Sequence, residues 1–253
     1  MVFKLREHVE RLYRSAKAIR LEIPVSMSEM MDIVVKTIKV NGFRDAYVRL
    51  VVTRGIGDLG LDPRRCPKPS IIVIAEQLEP ILGAESLKRG VRLIISSTRR
   101  DPVQATSHEV KSLNYLNSIM AKLEAIAAGA DDAVMLDTRG FVSEATAANI
   151  FLVKSSILYT PPVTAGILPG ITRATVMDIA QSLKIPVLER DITPVELLTS
   201  DEAFLTGTGV EIVPVASISG VKIGDQVPGP VTLRIIEMFN RIKVDPAYGE
   251  KLD

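Results

Sequence analysis

Two residues of the sequence could take part directly in acid–base or carbonyl chemistry. Lys111 stands between Val110 and Leu113, and a lysine in an apolar setting can lose its proton more easily and attack a carbonyl carbon. Glu144 follows a short predicted strand, where its carboxylate could serve a reaction. Each residue also has an ordinary interpretation, since most lysines are solvated and most carboxylates lie at the surface.

Two glycine-containing segments could bind phosphate. Residues 168–173, with the sequence LPGITR, precede an amphipathic stretch, so backbone amides at a helix start and the hydroxyl of Thr172 could hold an anion. Residues 206–209, with the sequence TGTG, follow a predicted strand and could form a second anion-binding turn. Either segment alone could be an ordinary loop. Together, the amine, the carboxylate and the two turns are the groups that a pyridoxal phosphate enzyme requires.

A third glycine-rich segment matches the dinucleotide-binding motif GxGxxG at Gly55, Gly57 and Gly60. That motif needs a helix that begins at the glycines, because the helix N-terminus holds the pyrophosphate. Residues 61–69 read LDPRRCPKP, and prolines at this spacing cannot form such a helix. The segment is therefore predicted to be a glycine-rich functional loop and not a nicotinamide or flavin site.

The elements that must position these residues form a mixture of helices and strands. A helix is predicted near the start of the chain, and Ser26 with Glu29 forms a capping-box pair that begins a second helix, which ends near Gly42. Another helix follows Gly170. Further helices are predicted at 115–128, 194–198 and 230–244, and strands at 46–53, 71–75, 91–96, 133–136, 141–143, 149–153, 186–189 and 202–206.

The order of these elements is not a regular βαβ alternation, so the predicted fold class is α/β of the α+β type in two domains. A loop rich in Arg, Asp, Pro and Thr at 99–107 is the predicted boundary. It would separate a small N-terminal domain, 1–98, from a larger domain, 108–253.

The charge balance offers no reason to expect nucleic acid or a membrane surface as a partner. The chain has 31 basic and 30 acidic residues, so no net field of one sign would attract either. The basic pairs at 64–65 and 99–100 are predicted to be solvated loop residues.

Cysteine and histidine usage argues against disulfides and metal sites. Cys66 is the only cysteine, and His8 and His108 are the only histidines, so no disulfide framework and no metal site is predicted. No apolar run approaches the ~20 residues that span a bilayer, and residues 1–6 lack the apolar stretch of a signal peptide. A cytoplasmic location is expected.

The sequence resembles the fold-type-IV aminotransferases, and most closely the branched-chain amino acid aminotransferases. The resemblance runs over residues 2–239, and its specific stretches are DAYVRLVVTRGIGDLGLDP at 45–63, VKSLNYLNS at 110–118, GFVSEATAANIF at 140–151, LPGITR at 168–173 and FLTGTGVEIVPV at 204–215. It implies a small α/β domain, a larger pseudo-barrel β domain with helices, and a homodimer or higher homo-oligomer. It also implies transamination of Leu, Ile or Val with 2-oxoglutarate, with pyridoxal 5'-phosphate as cofactor.

The resemblance also assigns roles toward the cofactor. It implies that Lys111 forms a Schiff base with the cofactor and then moves the substrate proton. Glu144 would pair with the pyridine nitrogen, and Tyr115 would hydrogen-bond the phenolic oxygen. Residues implied to pack on the ring or hold the phosphate are Leu168, Gly170, Ile171, Thr172 and Thr208.

Substrate contacts are implied in the same way. Tyr47 and Arg49 lie two apart on one predicted strand and so share a face. The resemblance implies that this pair meets the substrate carboxylates, together with the amides of Thr208 and Gly209. The loop that carries Leu61 would close the side-chain pocket of the neighbouring subunit.

Three features depart from the family pattern. Family members begin with a few dozen residues that end in a motif of the form YGDGxFEGIR, whereas this sequence begins just after it. An N-terminal segment is therefore expected to be missing, through a start upstream or a shortened chain, and cofactor binding would be weaker without it. Ala145 stands where Gly is usual, and Gly209 where Ala is common.

Other functions stay open. Within the fold these are a D-amino acid aminotransferase and a lyase of the aminodeoxychorismate type; outside catalysis, the chain could be a remnant that acts only in assembly. Arg49 and the loop at 53–63 favour the branched-chain type, and the TGTG turn favours an aminotransferase over the lyase. The presence of Lys111 and Glu144 argues against a remnant. The preferred side chain among Leu, Ile and Val is left open.

Overall fold

The chain divides into two compact units in a computed structural model that describes residues 1–43, 45–77 and 84–252. The first unit comprises Met1–Glu79 with Lys243–Asp253, and the second comprises Pro80–Ile242. This division lies elsewhere than the boundary predicted at 99–107. The strand at Val91–Ile95, predicted for the small domain, hydrogen-bonds within the large sheet of the second unit, and the C-terminal residues return to the first unit.

The two units contain helices and strands in mixed order, which confirms the predicted fold class. The helices are α1 (Leu5–Ala18), α2 (Met27–Asn41), α3 (Ala84–Arg89), α4 (Leu116–Ala127), α5 (Ile171–Ser182), α6 (Pro194–Leu198) and α7 (Pro230–Ile242). The strands are β1 (Val2–Phe3), β2 (Tyr47–Thr53), β3 (Ser70–Glu76), β4 (Val91–Ile95), β5 (Asp132–Leu136), β6 (Val142–Ala145), β7 (Asn149–Lys154), β8 (Ile157–Thr160), β9 (Val187–Glu189), β10 (Glu202–Gly207), β11 (Glu211–Ile218), β12 (Val221–Lys222) and β13 (Gly249–Glu250). Among the helices of the described residues, none combines the length and hydropathy needed to cross a bilayer.

In the first unit, α1 and α2 pack with the antiparallel pair β2–β3. The core between these elements includes Val9, Met30 and Val34, each no more than 1% exposed. Alternate residues of β2, such as Val48 and Leu50, pack on this core because successive side chains of a strand point to opposite faces. The other face of β2 is therefore available for Tyr47 and Arg49.

The capping box predicted for α2 is confirmed. The Ser26 hydroxyl accepts a hydrogen bond from the Glu29 N–H at 3.2 Å, and the Glu29 carboxylate accepts one from the Ser26 N–H at 2.7 Å. These bonds satisfy two amides that have no partner within the helix. The helix ends at Gly42, whose positive φ of 67° is a conformation that glycine adopts without strain.

We expect Ser26→Ala to lower the free energy of unfolding by about 1 kcal/mol, because the alanine leaves an N-terminal amide of α2 without its acceptor. Urea unfolding followed by circular dichroism measures this loss. The matched control is Ser28→Ala in the same helical turn, which removes a hydroxyl with no capping role and should be neutral or slightly stabilising. Equal losses in the two variants would contradict the capping assignment.

The second unit is built on a nine-stranded mixed sheet in the order β6-β5-β4-β11-β10-β7-β8-β9, with β12 paired to β11. β4 runs parallel to both of its neighbours, and β10 runs antiparallel to both β11 and β7. One face of this sheet carries a buried apolar core that includes Leu93, Ile150, Leu205 and Val213. The edge strand β6 and the inner strands β7 and β10 all contribute residues to this core, which holds the ends of these strands in place.

Helices cover other parts of this sheet. α4 packs on β5 through small residues, with Ala121, Ala125 and Ala133 fully buried. α5 and α7 contact each other and β10, on the side where Phe151 and Phe204 stack with ring centroids 5.1 Å apart. The start of α5 and the segment before α4 thereby reach the region where β6 and β7 meet.

The glycine-rich segment at 55–60 forms no dinucleotide site. No α-helix begins at these glycines, all of which are described; the next element is the 3₁₀ turn Pro63–Arg65, capped by the Asp62 carboxylate. A Cβ on Gly55 would lie 1.9 Å from the Lys68 carbonyl oxygen, so this glycine is required by close backbone approach. The rejection of the nicotinamide or flavin interpretation therefore agrees with the local fold.

Candidate active site

Lys111 lies in the segment that leads into α4. Its Nζ donates a hydrogen bond to the Tyr115 hydroxyl at 3.2 Å, and Tyr115 occupies the N-cap position of α4. The apolar setting predicted for Lys111 is wrong for this chain, since Lys111 is exposed and Leu113 is 61% exposed. The lysine is thus an accessible amine held beside a phenol.

Glu144 is the buried carboxylate of the site, only 3% exposed at the end of β6. One carboxylate oxygen, Oε1, accepts a hydrogen bond from the Arg100 guanidinium. The other, Oε2, accepts from Asn149 Nδ2 at 2.7 Å and from the Leu168 N–H at 3.1 Å. Three donors therefore converge on one carboxylate from three different segments.

Burial and the hydrogen-bond donors shift the pKa of Glu144 in opposite directions. Burial raises the pKa of its carboxyl to about 7, because the interior solvates the charged form poorly. The charge of Arg100, the Leu168 N–H and the charge of Lys111 act in the opposite direction. The charge of Lys111 thus lies within electrostatic range of the Glu144 carboxylate.

Arg100 corrects a prediction made from the sequence. The pair at 99–100 is predicted to be solvated, but Arg100 is 4% exposed and ion-paired with Glu144. Its guanidinium also donates to Ser118 Oγ at 2.9 Å and to the Gly166 carbonyl at 3.2 Å. The basic pair at 64–65 behaves as predicted at Arg64, whose side chain is 87% exposed.

The predicted phosphate segment lies at the start of α5. Gly170 is the N-cap residue and provides no side-chain cap, so the first N–H groups of the helix face outward from its positive end. Thr172 is buried in the first turn. Arg173 does not face this terminus, because its guanidinium bonds to the Pro161 carbonyl at 3.0 Å and the Glu189 carboxylate at 2.6 Å.

The second predicted anion-binding turn connects β10 to β11. Thr208 is exposed and Gly209 is half-buried in the turn that the Gly207–Glu211 pair closes. Gly207 sits against the turn between β6 and β7, since a Cβ there would lie 3.6 Å from the Ala147 carbonyl oxygen. The turn therefore borders the strands that carry Glu144 and Asn149.

The remaining predicted residues lie in the first unit. Tyr47 and Arg49 share the face of β2 opposite its core-facing residues, and Arg49 is exposed. Leu61 lies in the glycine-rich loop and is fully exposed.

Two residues of the site were missed from the sequence, Arg100 and Asn149. Asn149 lies at the start of β7 and is 5% exposed. Its side-chain amide donates to both Glu144 and the Leu168 carbonyl. A polar amide at the start of an otherwise apolar predicted strand was the available signal, because such an amide needs hydrogen-bond partners if the strand is buried.

The second unit thus offers an amine, a buried carboxylate and an uncapped helix N-terminus. This donor set fits a cofactor that carries a carbonyl group, a basic ring nitrogen and a phosphate at separate positions. Lys111 would meet the carbonyl group, Glu144 the nitrogen, and the start of α5 the phosphate.

Comparison with known proteins identifies the relatives of this chain. The amino-transferase class IV family profile matches residues 1–218. A protein of Methanocaldococcus jannaschii, named provisionally as a branched-chain-amino-acid aminotransferase, is 50% identical over 243 residues, which are 96% of this chain and 83% of that protein.

Solved structures agree with this match. The crystal structure of the branched-chain amino acid aminotransferase of Escherichia coli has a TM-score of 0.96 at 33% identity, covering 99% of this chain and 84% of that one. A second branched-chain amino acid aminotransferase, from the organism abbreviated T.th. and complexed with N-(5'-phosphopyridoxyl)-L-glutamate, has a TM-score of 0.93 at 34% identity, with the same coverage of 99% and 84%.

Proposed function

Because the chain belongs to the class IV aminotransferases, we propose that it transfers the amino group of branched-chain L-amino acids to 2-oxoglutarate with pyridoxal 5'-phosphate as cofactor. Relatives at 36% to 50% identity carry the name of that enzyme over nearly the whole chain. A cytoplasmic location is part of the proposal, since a single cysteine suits a reducing compartment.

The observation that carries the proposal is the buried Glu144 carboxylate. A carboxylate that is ion-paired with Arg100 and accepts hydrogen bonds from Asn149 and the Leu168 amide can pair with the ring nitrogen of the cofactor and keep a proton there. When bound, pyridoxal phosphate supplies a carbonyl group that receives the amino group and a protonated ring that withdraws electrons from the substrate α-carbon.

The remaining residues would bind and move protons around that ring. Lys111 would hold the cofactor through Nζ and would move a proton between the substrate α-carbon and the cofactor carbon that receives the amino group. The Tyr115 hydroxyl, 3.2 Å from Lys111 Nζ, orients that amine and bonds the phenolic oxygen. Leu168 packs on the ring. Gly170, Ile171, Thr172 and Thr208 hold the phosphate at the start of α5 and the turn after β10.

The residues proposed to bind the substrate are Tyr47, Arg49, Leu61, Thr208 and Gly209. Arg49, exposed on β2 with Tyr47, suits the distal carboxylate of glutamate or 2-oxoglutarate, because a guanidinium binds carboxylates with two parallel hydrogen bonds. The amides of Thr208 and Gly209 would receive the α-carboxylate. The ligand named for the T.th. relative joins the cofactor to L-glutamate, which supports 2-oxoglutarate as the acceptor.

We test the proposal with the visible spectrum of the purified chain and pyridoxal phosphate. The spectrum should change from that of free cofactor to that of lysine-bound cofactor, and L-leucine should convert it to the aminated form. Addition of 2-oxoglutarate should restore the first spectrum and yield glutamate. Conversion by D-leucine alone would favour a D-amino acid aminotransferase, and cofactor binding without amino transfer from any amino acid would overturn the proposal.

A homodimer is part of the proposed function. In the first unit, Ile56, Leu59 and Leu61 are each more than 90% exposed, although apolar side chains favour burial. In the second unit, α4 carries a stripe of apolar residues at helical spacing that are between 48% and 67% exposed, namely Leu116, Ile119, Met120, Leu123 and Ile126. Contiguous exposed apolar patches mark interfaces, so both surfaces support a second copy of the chain as partner.

We expect Leu123→Glu to raise the dissociation constant of the homodimer by about 30-fold or more, because a central apolar contact is worth about 2 kcal/mol and the carboxylate would be buried. Sedimentation equilibrium measures the change. Val195→Glu is the matched control. Val195 is 67% exposed on α6, whereas the two leucines of that helix are not exposed, so it belongs to no apolar stripe. A Leu123→Glu protein that stays dimeric would remove α4 from the interface.

A further inference from the structure

Asn149 uses both hydrogens of its side-chain amide inside the site. Nδ2 donates to Glu144 Oε2 at 2.7 Å and to the Leu168 carbonyl at 2.9 Å. The Leu168 N–H in turn donates to the same oxygen of Glu144 at 3.1 Å. Glu144, Asn149 and Leu168 thereby form a closed ring of hydrogen bonds.

The other end of this amide contacts the start of α5. A Cβ built on Gly170 would lie 2.2 Å from Asn149 Oδ1, so the amide oxygen occupies the space beside the N-cap residue. Gly170 is extended, with φ of −70° and ψ of 140°, and its lack of a side chain therefore serves this contact rather than a strained backbone. One side chain touches both the carboxylate and the helix terminus.

We propose that Asn149 is a positioning residue that sets the separation between Glu144 and the start of α5, and that this separation is matched to a ligand that must reach both, as the cofactor of the proposed function does. A rigid cofactor binds at two ends only if both ends are at the correct distance, and a displacement of about 1 Å is enough to lose binding. In this role Asn149 acts through Glu144 and the residues at the start of α5.

The chemistry of the amide also suits this position. The amide nitrogen Nδ2 can only donate hydrogen bonds, so Glu144 must be the acceptor. A donor at this position favours the ionised form of the carboxylate, which is the form that the ring nitrogen needs. Arg100 holds only the opposite oxygen, Oε1, and its described bonds reach no residue of the helix start. Among the described side chains, only that of Asn149 is hydrogen-bonded to both Glu144 and Leu168.

Asn149→Asp tests the inference, because it keeps the shape but places a carboxylate against Glu144 Oε2 and the Leu168 carbonyl. The expected result is a rise of 10- to 100-fold, roughly, in the dissociation constant of pyridoxal phosphate at pH 8. The loss should shrink as the pH falls to 6, because two facing carboxylates then share a proton. The charged groups that also act on Glu144 are Arg100 and Lys111, and the charge of Arg100 also acts to lower the pKa of His108.

The readouts are the cofactor dissociation constant at each pH and the thermal unfolding of the cofactor-free protein. Ser143→Ala is the matched control: Ser143 precedes Glu144 on β6, is fully buried, and has no hydrogen-bond partner for its hydroxyl among the described residues. It should leave the dissociation constant within about twofold of the wild-type value, since it removes a hydroxyl without a role.

Gly170→Ala supplies a second test of the contact and does not depend on Asn149→Asp folding. Alone, it should weaken cofactor binding, because its Cβ meets Asn149 Oδ1 at 2.2 Å. Combined with Asn149→Ala, which removes that oxygen, the loss should be smaller than the product of the two single losses. Independent, multiplicative losses would overturn the inference, as would an Asn149→Asp protein that binds like the wild type at every pH.

The two proposals fail in different ways. A wild-type chain that binds pyridoxal phosphate and transfers the amino group, together with unaffected Asn149 variants, overturns only the role of Asn149. A wild-type chain that binds no pyridoxal phosphate overturns the proposed function and the role of Asn149 with it.

Discussion

Lys111→Ala is expected to lower kcat for amino transfer from L-leucine to 2-oxoglutarate by about 10⁴-fold or more. A positioned general base alone contributes up to about 10⁴-fold, and the variant also loses the amine that holds the cofactor covalently. Stopped-flow absorbance at saturating leucine measures the loss. Because Lys111 is exposed, the alanine removes chemistry without opening a cavity, and thermal unfolding should stay near the wild-type midpoint.

Borohydride reduction separates this role from a general loss of fold. In the wild type it should fix the cofactor to the peptide that contains Lys111, and mass spectrometry should find no such adduct in Lys111→Ala. Lys154→Ala is the control. Lys154 is an exposed lysine at the other end of β7 from Asn149, and its Nζ lies 2.9 Å from the Asp201 carboxylate. An adduct on any other lysine, or retained turnover, would refute the assignment of Lys111.

Glu144→Ala has the second largest expected effect. It leaves the Arg100 guanidinium buried without its carboxylate, and breaking a buried ion pair in this way lowers the free energy of unfolding by about 3–5 kcal/mol. Urea unfolding of the cofactor-free protein measures the loss. The control is Asp191→Ala, which breaks a pair with Arg139 whose partners are 34% and 49% exposed and should lose less than about 1 kcal/mol.

A double variant shows whether the unpaired charge causes the loss. Arg100→Met added to Glu144→Ala removes the buried cation, so the double variant should be more stable than Glu144→Ala alone. An additive loss would indicate that both side chains act only by filling space. In either background, cofactor affinity should be strongly reduced, because the partner of the ring nitrogen is gone.

The pH dependence of the free energy of unfolding tests independently whether the pKa of Glu144 is raised. Burial raises its pKa to about 7 from the ordinary value of 4.5, so the folded chain binds this proton more tightly than the unfolded chain. The resulting stability is fully present below pH 4.5 and is lost as the pH rises to about 7. Glu144→Gln cannot titrate, so its free energy of unfolding should lack this decline between about pH 5 and pH 7. An unchanged slope would contradict the raised pKa.

Local patterns of the sequence predicted the elements that depend on near neighbours. The capping box of α2 joins residues three apart, and the start of α5 follows from a glycine before an amphipathic run. The chemical groups were also readable from the sequence, because Lys111, Glu144 and the turn residues are recognised by type and order. Strand β8 was missed, since it is only four residues long and two serines with positive φ, Ser155 and Ser156, precede it.

Long-range pairing decided what the sequence left undetermined. Val91 of β4 pairs with Val215 of β11, which moves a strand near the middle of the chain into the large sheet and displaces the predicted domain boundary. Arg100 reaches a carboxylate 44 residues away, and a lone basic pair in the sequence carries no sign of that partner. Side-chain chemistry is local and therefore visible in the sequence, whereas burial and partnership arise only when distant strands are brought side by side.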